Sequence, residues 1–272
     1  MKRLVVNADD FGFTRDVNAG ILESHRDGIL TATTLMANGA AFDDAVRGAR
    51  ETPSLDIGCH LVLIGGRSVL EPGRDLPRNA GELLRAIALG RLAVREELAA
   101  QIRRVVDAGL RPTHLDTHKH THLLPPVLDA VARLSEEFSI PWVRRPFDFP
   151  LQPGAAPWTK RAVSRSFRSV RGHFHRVLER HGCRTTAHFA GFQLTGRFGP
   201  GELVQLIQAL PEGTTEFMCH PGRCGPELQA ARTRLKQSRE QELQALIAPE
   251  VRAALREAGV ELVTFRDLSS HL

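Results

Sequence analysis

The sequence predicts a single α/β domain over residues 1–272, folded as a (β/α) barrel. Short apolar runs alternate with amphipathic helical stretches, which is the pattern of a parallel sheet covered by helices. Polar residues that can bind a metal follow several of the apolar runs. A chain of 272 residues has an ordinary length for one barrel of this kind.

Apolar runs place the strands, and apolar side chains that recur every three or four residues place the helices. Helices are predicted over residues 16–28, where a glycine ends the pattern, and over residues 41–51. The predicted strands cover residues 3–8, 30–36, 56–64, 113–116, 142–144, 186–189, 215–219 and 261–265. About eight strands with helices between them favour a barrel over an open sheet.

Three segments depart from this alternation. Residues 65–90 are rich in Gly, Pro and Arg and exceed an ordinary strand-to-helix connection, so we expect a long loop there, either a substrate loop or a disordered flap. Residues 147–157 read as a Pro-rich turn. Residues 158–184 form a basic helical segment whose apolar side chains recur every three or four positions. That pattern fits an outer barrel helix, and its arginines also fit peripheral contact with an anionic membrane.

Composition excludes several classes of protein. The hydrophobic fraction of 42% and the charged fraction of 25% are those of a soluble globular chain. No apolar run is long enough to cross a membrane and no signal peptide is apparent, so we expect a cytoplasmic protein. The four cysteines have neither a disulfide framework nor the spacing of a structural zinc site. A nucleic-acid partner is not expected, because the arginines lack interleaved aromatic residues.

Two acidic residues end the first predicted strand, in the segment N-A-D-D-F-G. Asp9 and Asp10 follow an apolar run, where two carboxylates are costly unless a cation or hydrogen bonds stabilise them. A helix N-cap or an Asx turn is the alternative, and it requires only one aspartate. A third polar residue, His60, interrupts the apolar run of the third strand.

The strongest signal is an alternation of polar ligand types across residues 113–122. A period of two places these side chains on one side of an extended chain. Neutral imidazoles and a carboxylate are natural ligands of a divalent cation, whereas several protonated histidines in a row repel one another. The sequence therefore predicts a metal site that draws on His114, Asp116, His118, His120 and His122.

A further histidine, His220, follows the seventh predicted strand in the segment C-H-P-G. The carboxyl ends of barrel strands meet at one rim, where active sites of such barrels lie. Residues that are distant in sequence therefore become neighbours at this rim. The convergence predicts one active site rather than four unrelated motifs.

These segments resemble those of the YdjC-type carbohydrate deacetylases, relatives of the NodB-type polysaccharide deacetylases. The resemblance rests on N-A-D-D-F-G, G-x-H-L, T-H-L-D-T-H-x-H-x-H and C-H-P-G, which occur in this order over most of the chain. It implies a distorted, TIM-like (β/α) barrel of the glycoside hydrolase/deacetylase kind and a single divalent metal ion, Mg²⁺ or Zn²⁺. It also implies an enzyme that hydrolyses the acetamide of an N-acetylated amino sugar.

The resemblance also assigns roles to residues of this chain. It implies that Asp10, His60 and His118 bind the metal and that Asp9 is the catalytic base. It implies that His220 is the general acid. Arg144, in the segment R-R-P-F, resembles the arginine that orients the catalytic aspartate. We expect Asp116 and His120 or His122 to support the metal ligands from behind.

Within the family, several sequence segments are most similar to those of the hopanoid-biosynthesis-associated type, often called HpnK. The segments are T-A-T-T-L-M-A-N-G-A-A, C-H-L-V-L, H-K-H-T-H and W-V-R-R-P-F. The resemblance implies an N-acetylglucosaminyl group on a hopanoid as substrate, and with such a substrate the basic helical segment would make peripheral contact with the inner membrane surface. Members of the chitooligosaccharide type have a histidine where this chain has Lys119. A soluble-oligosaccharide deacetylase, a metal-dependent phosphoesterase and a non-catalytic sugar- or lipid-binding protein remain alternatives, and a homodimer is compatible with the sequence.

Overall fold

The structure is a computed structural model that describes residues 1–149 and 158–270. In this part of the chain eight strands form, each at or near a predicted position. The strands are β1 (Lys2–Phe11), β2 (Ala32–Leu35), β3 (Asp56–Leu61), β4 (His114–Thr117), β5 (Trp142–Val143), β6 (His188–Ala190), β7 (Gly213–Cys219) and β8 (Val260–Leu262). The prediction at residues 261–265 runs too far, because Phe265 already begins a helix.

Helices connect the strands and cover the sheet. They are α1 (Arg15–Arg26), α2 (Phe42–Glu51), α3 (Ala80–Ala88), α4 (Val94–Asp107), α5 (Pro125–Glu137), α6 (Trp158–Phe167), α7 (Arg171–Arg180), α8 (Pro200–Gln208), α9 (Pro226–Ala230), α10 (Gln237–Ile247), α11 (Pro249–Glu257) and α12 (Phe265–Ser270). Short 3₁₀ segments cover residues 118–123 and 168–170.

All the strand pairs of the sheet are parallel, and the order is β5-β4-β3-β2-β1-β7-β6. β8 pairs with the first residues of β1, from Lys2 to Leu4. β1 is therefore central, and its residues Leu4, Val5 and Val6 are fully buried. Such a continuous apolar run is required where both faces of a parallel strand are covered.

The segment 65–90 contains more regular structure than the predicted long loop. Its last part is α3, which Asn79 caps by accepting a hydrogen bond from the Glu82 backbone. In its first part, the buried carboxylate of Glu97 accepts hydrogen bonds from the backbone of Val69 and Leu70, at 3.0 and 3.2 Å. The remaining loop is thereby fixed to α4.

The basic segment consists of α6 and α7 in the described structure. On α7, Phe174 and Val177 are buried in the core, as expected of an outer barrel helix. On α6, Trp158 is 78% exposed and Val163 is 45% exposed. No helix among the described residues is long and apolar enough to span a membrane. Most of the predicted Pro-rich turn at 147–157 lies outside the described residues.

Asp148 joins the two edges of the sheet. The residue forms an isolated parallel bridge with Phe189 of β6, and its carboxylate accepts backbone hydrogen bonds from Phe192 and Gln193 at 3.2 and 3.1 Å. Burial raises the pKa of Asp148 to about 6 although these hydrogen bonds favour the ionised form. The folded protein therefore binds a proton at Asp148 more tightly than the unfolded chain does.

This difference makes stability depend on pH. The folded-state pKa is raised, so the contribution of Asp148 is complete below pH 4 and is lost as the pH rises through about 6. Relative to Asp148→Asn, we expect the free energy of unfolding of the wild type to fall by about 2–3 kcal/mol between pH 4 and pH 7. Urea denaturation of both proteins at several pH values measures the difference; a constant difference contradicts the prediction.

Candidate metal centre

A bulge at the end of β1 presents two neighbouring carboxylates to the same site. β1 advances from Ala8 to Phe11 while β2 advances only from Thr33 to Leu35, so β1 carries one extra residue. Asp10 takes a left-handed conformation, with φ of 70°. Side chains of a regular strand alternate between faces, so the bulge is what lets Asp9 and Asp10 both serve the site.

Three donor atoms form a small triangle at the carboxyl ends of the strands. Asp10 Oδ1 lies 3.3 Å from His60 Nε2 and 3.4 Å from His118 Nδ1, and the two nitrogens are 3.2 Å apart. Ligand atoms bound at 2.0–2.2 Å to one Zn²⁺ ion stand roughly 3.0–3.5 Å apart. The triangle therefore fits a shared divalent cation.

The hydrogen bonding of Asp10 supports this fit. Within the described residues, Asp10 Oδ1 is buried and accepts no hydrogen bond, whereas Oδ2 accepts one from Arg239. Burial alone disfavours the charge, but the Arg239 guanidinium and the two imidazoles hold the pKa of Asp10 well below its usual value. An ionised, unpartnered oxygen facing two imidazole nitrogens is a suitable ligand set for zinc or a similar cation.

Asp116 supports His60 from behind. The two residues are neighbours in the β3–β4 register, and Asp116 Oδ1 lies 2.6 Å from His60 Nδ1. Thr34 donates a hydrogen bond of 3.0 Å to the other oxygen of Asp116. With Nδ1 engaged, Nε2 of His60 is the nitrogen that faces Asp10 and His118, as expected for a metal-binding histidine.

Arg144 follows β5 and lies among three buried carboxylates. Its guanidinium donates two hydrogen bonds to Asp9, at 2.8 and 2.7 Å, and forms ion pairs with Asp116 at 2.6 Å and with Glu216 at 2.7 Å. Despite burial, the charge of Arg144 holds the pKa of Asp9 well below its usual value. Burial raises the pKa of Glu216 to about 7, although Arg144 opposes the shift.

These contacts separate the two aspartates of β1. Asp9, His60 and Asp116 also form a compact group of ligand types. The carboxylates of Asp9 and Asp116, however, are already paired with Arg144. The cluster around Asp10 is therefore the better cation site, and Asp9 lies beside it without being part of it.

His220 stands on the other side of Asp9. Its Nε2 lies 3.8 Å from Asp9 Oδ2, and its backbone N–H donates to the buried carboxylate of Glu242 at 2.5 Å. Burial lowers the pKa of His220 to about 4, although the nearby carboxylates oppose the shift. Burial therefore favours the neutral form of this imidazole.

The predicted alternation over residues 113–122 is wrong beyond Thr117. β4 ends there, and Lys119 and His120 take left-handed conformations, with φ of 56° and 52°, so the chain turns instead of staying extended. Only Asp116 and His118 of the five predicted side chains reach the metal cluster. The turn sends the other histidines elsewhere.

Those three histidines have separate environments. His114 lies 2.9 Å from Asn7 Oδ1 and stacks on Phe265. His122 Nε2 lies 3.1 Å from the carbonyl oxygen of Arg144. His120 lies against Phe192, with ring centroids 5.7 Å apart. Among the described residues, neither His120 nor His122 contacts a metal ligand, so the expectation that one of them supports a ligand directly is not met. His122 instead contacts the backbone of Arg144.

Three polar residues of the site were missed by the sequence reasoning. Glu216 carried a signal, since it is an acid within the apolar strand T-T-E-F-M-C. Arg239 and Glu242 had none, because a charged side chain on a polar helix such as α10 is ordinary. Their roles depend on contacts with Asp10 and His220, which are distant in sequence.

The fold and these contacts define the class of protein: a parallel (β/α) barrel with an aspartate and two histidines gathered at the carboxyl ends of its strands. The chain belongs to the YdjC-like protein family, whose model matches residues 3–257.

Similar proteins over nearly the whole chain carry the names of deacetylases. A Brevibacillus brevis protein named carbohydrate deacetylase is 34% identical, over 98% of this chain and 99% of its own length. A Klebsiella pneumoniae protein named chitooligosaccharide deacetylase is 32% identical, over 97% and 98%. A Homo sapiens protein named carbohydrate deacetylase is 33% identical, over 98% and 91%.

Solved structures agree with the predicted barrel. An Enterococcus faecalis protein described as a cellobiose-phosphate cleavage protein has a TM-score of 0.75 and 25% identity, covering 98% of each chain. A lactam utilization protein from Thermus thermophilus has a TM-score of 0.50 and 16% identity, covering 96% of this chain and 99% of its own. The second likeness concerns the fold alone. The predicted distorted (β/α) barrel is confirmed.

The donor triangle predicts which substitutions remove the metal. We expect Asp10→Asn and His60→Asn to weaken Zn²⁺ binding by more than about 100-fold. Substitution of a residue that only supports a ligand typically lowers metal affinity by less than that. His122→Asn is the matched control, because His122 belongs to the same histidine-rich segment but contacts Arg144. Competition with a chromogenic chelator measures the affinity. Equal losses in all three variants would contradict the assignment.

Proposed function

We propose that this protein is a metal-dependent N-deacetylase that hydrolyses the acetamide of an N-acetylglucosaminyl group. The observation that carries the proposal is the donor triangle of Asp10, His60 and His118 beside a carboxylate, Asp9, that is not part of it. Membership of the YdjC-like family and the deacetylase names of similar proteins support the proposal.

In this proposal Asp10, His60 and His118 hold the cation, and Asp116 keeps the His60 ring in place. A bound divalent cation supplies a Lewis acid that polarises the acetamide carbonyl and acidifies a water molecule. The physiological metal is Zn²⁺ or Mg²⁺; one oxygen and two nitrogen donors suit zinc.

Asp9 is the proposed general base, and Arg144 fixes its orientation through two hydrogen bonds. As water adds to the acetamide carbon, Asp9 takes its proton. Asp9 Oδ2 and His220 Nε2 lie 3.8 Å apart, so in this proposal a small shift of the two side chains brings them within hydrogen-bond distance and the proton passes to His220. His220 then delivers a proton to the nitrogen as the C–N bond breaks, since an amide nitrogen leaves poorly as an anion.

The two aspartates predict separable defects. We expect Asp9→Asn to lower kcat for acetate release from N,N′-diacetylchitobiose by about 10²- to 10⁴-fold, the range of general base catalysis, with Zn²⁺ still bound. The same change at Asp129, which among the described residues pairs only with Arg133, is the matched control and leaves both quantities unchanged. Loss of Zn²⁺ together with activity in Asp9→Asn would instead make Asp9 a ligand.

For the substrate, we propose an N-acetylglucosaminyl group linked to a hopanoid, reached by peripheral contact with the inner membrane surface. The resemblance of segments such as H-K-H-T-H supports this substrate, and α6 supports the contact. Trp158 is 78% exposed and Val163 is 45% exposed on a helix that also carries Arg161 and the exposed Arg165. Exposed apolar side chains flanked by cations are typical of a surface that rests on anionic lipid.

The alternative is deacetylation of soluble oligosaccharides, which the name of the Klebsiella relative supports. A non-catalytic sugar-binding protein is a weaker alternative, because every residue that the proposed mechanism requires is present. Accumulation of an acetylated hopanoid glycolipid in cells lacking the gene, detected by mass spectrometry, distinguishes the first substrate from the second.

The lipid proposal predicts a variant that separates the two substrates. We expect Trp158→Ser to lower turnover of the glycolipid in anionic vesicles several-fold and to leave turnover of N,N′-diacetylchitobiose unchanged. Leu89→Ser is the control, since Leu89 is 52% exposed on a different helical region. Vesicle sedimentation and acetate release measure binding and turnover. Equal glycolipid turnover in the wild type and Trp158→Ser would argue against contact through α6.

A further inference from the structure

Arg239 makes an unexpected contact with the metal cluster. It lies on α10, is 2% exposed, and donates a hydrogen bond from Nη2 to Asp10 Oδ2. The other oxygen of Asp10 is the one that faces His60 and His118. A fixed positive charge therefore stands directly behind a residue that is suited to bind a cation.

The fold holds this guanidinium in place. Its Nε donates to the carbonyl oxygen of Leu235 at 3.3 Å, and its stem packs against the C-H-P-G turn. A Cβ at Gly222 would lie 3.3 Å from Cδ of Arg239, so glycine there lets the turn approach closely. Within the described residues, Nη1 has no hydrogen-bond partner, so Asp10 is the only carboxylate that Arg239 contacts.

The charge of Arg239 is opposite to that of the carboxylates that usually support a metal ligand. Asp116 stands behind His60 and, as a carboxylate, makes the imidazole a stronger donor. Arg239 stands behind Asp10 and, as a cation, makes the carboxylate a weaker donor. It also occupies Oδ2, which leaves only Oδ1 of Asp10 for the cation.

We propose that Arg239 is a positioning residue that limits Asp10 to one-oxygen binding and lowers its donor strength, so that the bound cation stays more electrophilic at the expense of affinity. The inference rests on the proposed function for its effect on turnover. Its effect on metal affinity is independent of any substrate. The opposing view is an ion pair that only stabilises the fold, and it predicts a damaged metal site when Arg239 is replaced.

Three substitutions separate charge from hydrogen bonding. Arg239→Met removes both, Arg239→Gln keeps an N–H donor without the charge, and Arg239→Lys keeps the charge. Arg223→Met is the matched control, because Arg223 pairs with Glu240 beside Arg239 but has no contact with Asp10. The full-length protein is stripped of metal and titrated with Zn²⁺ against a chromogenic chelator. Acetate release from N,N′-diacetylchitobiose is then measured at saturating Zn²⁺.

We expect Arg239→Met and Arg239→Gln to bind Zn²⁺ about 10-fold more tightly, since a nearby positive charge has been removed. Their kcat at saturating Zn²⁺ should fall by about 10- to 100-fold. Arg239→Lys and Arg223→Met should keep the wild-type affinity within about threefold. If Arg239→Met does not fold, the comparison of Gln with Lys gives the same decision.

Unchanged or weaker Zn²⁺ binding in Arg239→Met and Arg239→Gln, the neutral variants, overturns the proposal. An equal gain of Zn²⁺ affinity in Arg239→Lys also overturns it. Unchanged kcat in the neutral variants overturns it as well. A wild-type protein that binds Zn²⁺ but releases no acetate from any amino sugar refutes the proposed deacetylase activity instead. In that case the order of Zn²⁺ affinities still decides whether Arg239 weakens Asp10 as a donor.

Discussion

The site depends on the buried guanidinium of Arg144. It pairs with Asp9 of β1, Asp116 of β4 and Glu216 of β7, so one side chain after β5 connects three other strands. A buried charge is tolerated only when it is paired, and removal of one partner leaves the others uncompensated. Arg144 therefore holds the carboxyl ends of these strands together as well as orienting Asp9. Its own position is fixed by His122, which lies against its carbonyl oxygen.

Charge balance extends the same argument to the cation. One guanidinium faces three carboxylates around Arg144, while Asp10 is matched by Arg239. Burial raises the pKa of Glu216 to about 7, so part of the excess negative charge is relieved by a proton. The neighbouring carboxylates raise the pKa of His60 well above its usual value despite burial, so they favour a positive charge at the donor triangle. A divalent cation bound in the triangle, as proposed above, would supply that charge.

Local sequence signals identified the strands and the two aspartates but not how those residues divide their roles. Asp9 and Asp10 have the same side chain, and the extra residue in β1 is what turns both toward the site. Asp9 then pairs with Arg144, whereas Asp10 faces the imidazoles. The histidine-rich segment shows the complementary failure. The polar residues do alternate in the sequence, but this alternation places side chains on one face only in an extended strand, and β4 ends at Thr117.

Long-range partners explain what the sequence could not reveal. Arg239 is an ordinary arginine on a polar helix until the C-H-P-G turn and α1 bring it against Asp10. Glu242 is similarly ordinary until it accepts the backbone hydrogen bond of His220. No periodicity or motif spacing in the sequence predicts either contact, because each contact joins residues that are far apart in the chain.

The proposed chemistry does not depend on what the amino sugar is attached to. In the proposed mechanism the donor triangle, Asp9 and His220 act on the acetamide group, which is the same on a glycolipid and on a soluble oligosaccharide. Selectivity must therefore come from surfaces outside that cluster. In this chain the distinctive features there are Lys119, fixed in a left-handed turn beside His118, and α6 with its exposed Trp158. Lys119 is the residue next to His118 in the chain, and an apolar, basic helix is a surface that a lipid-linked substrate can use and a small soluble sugar does not need.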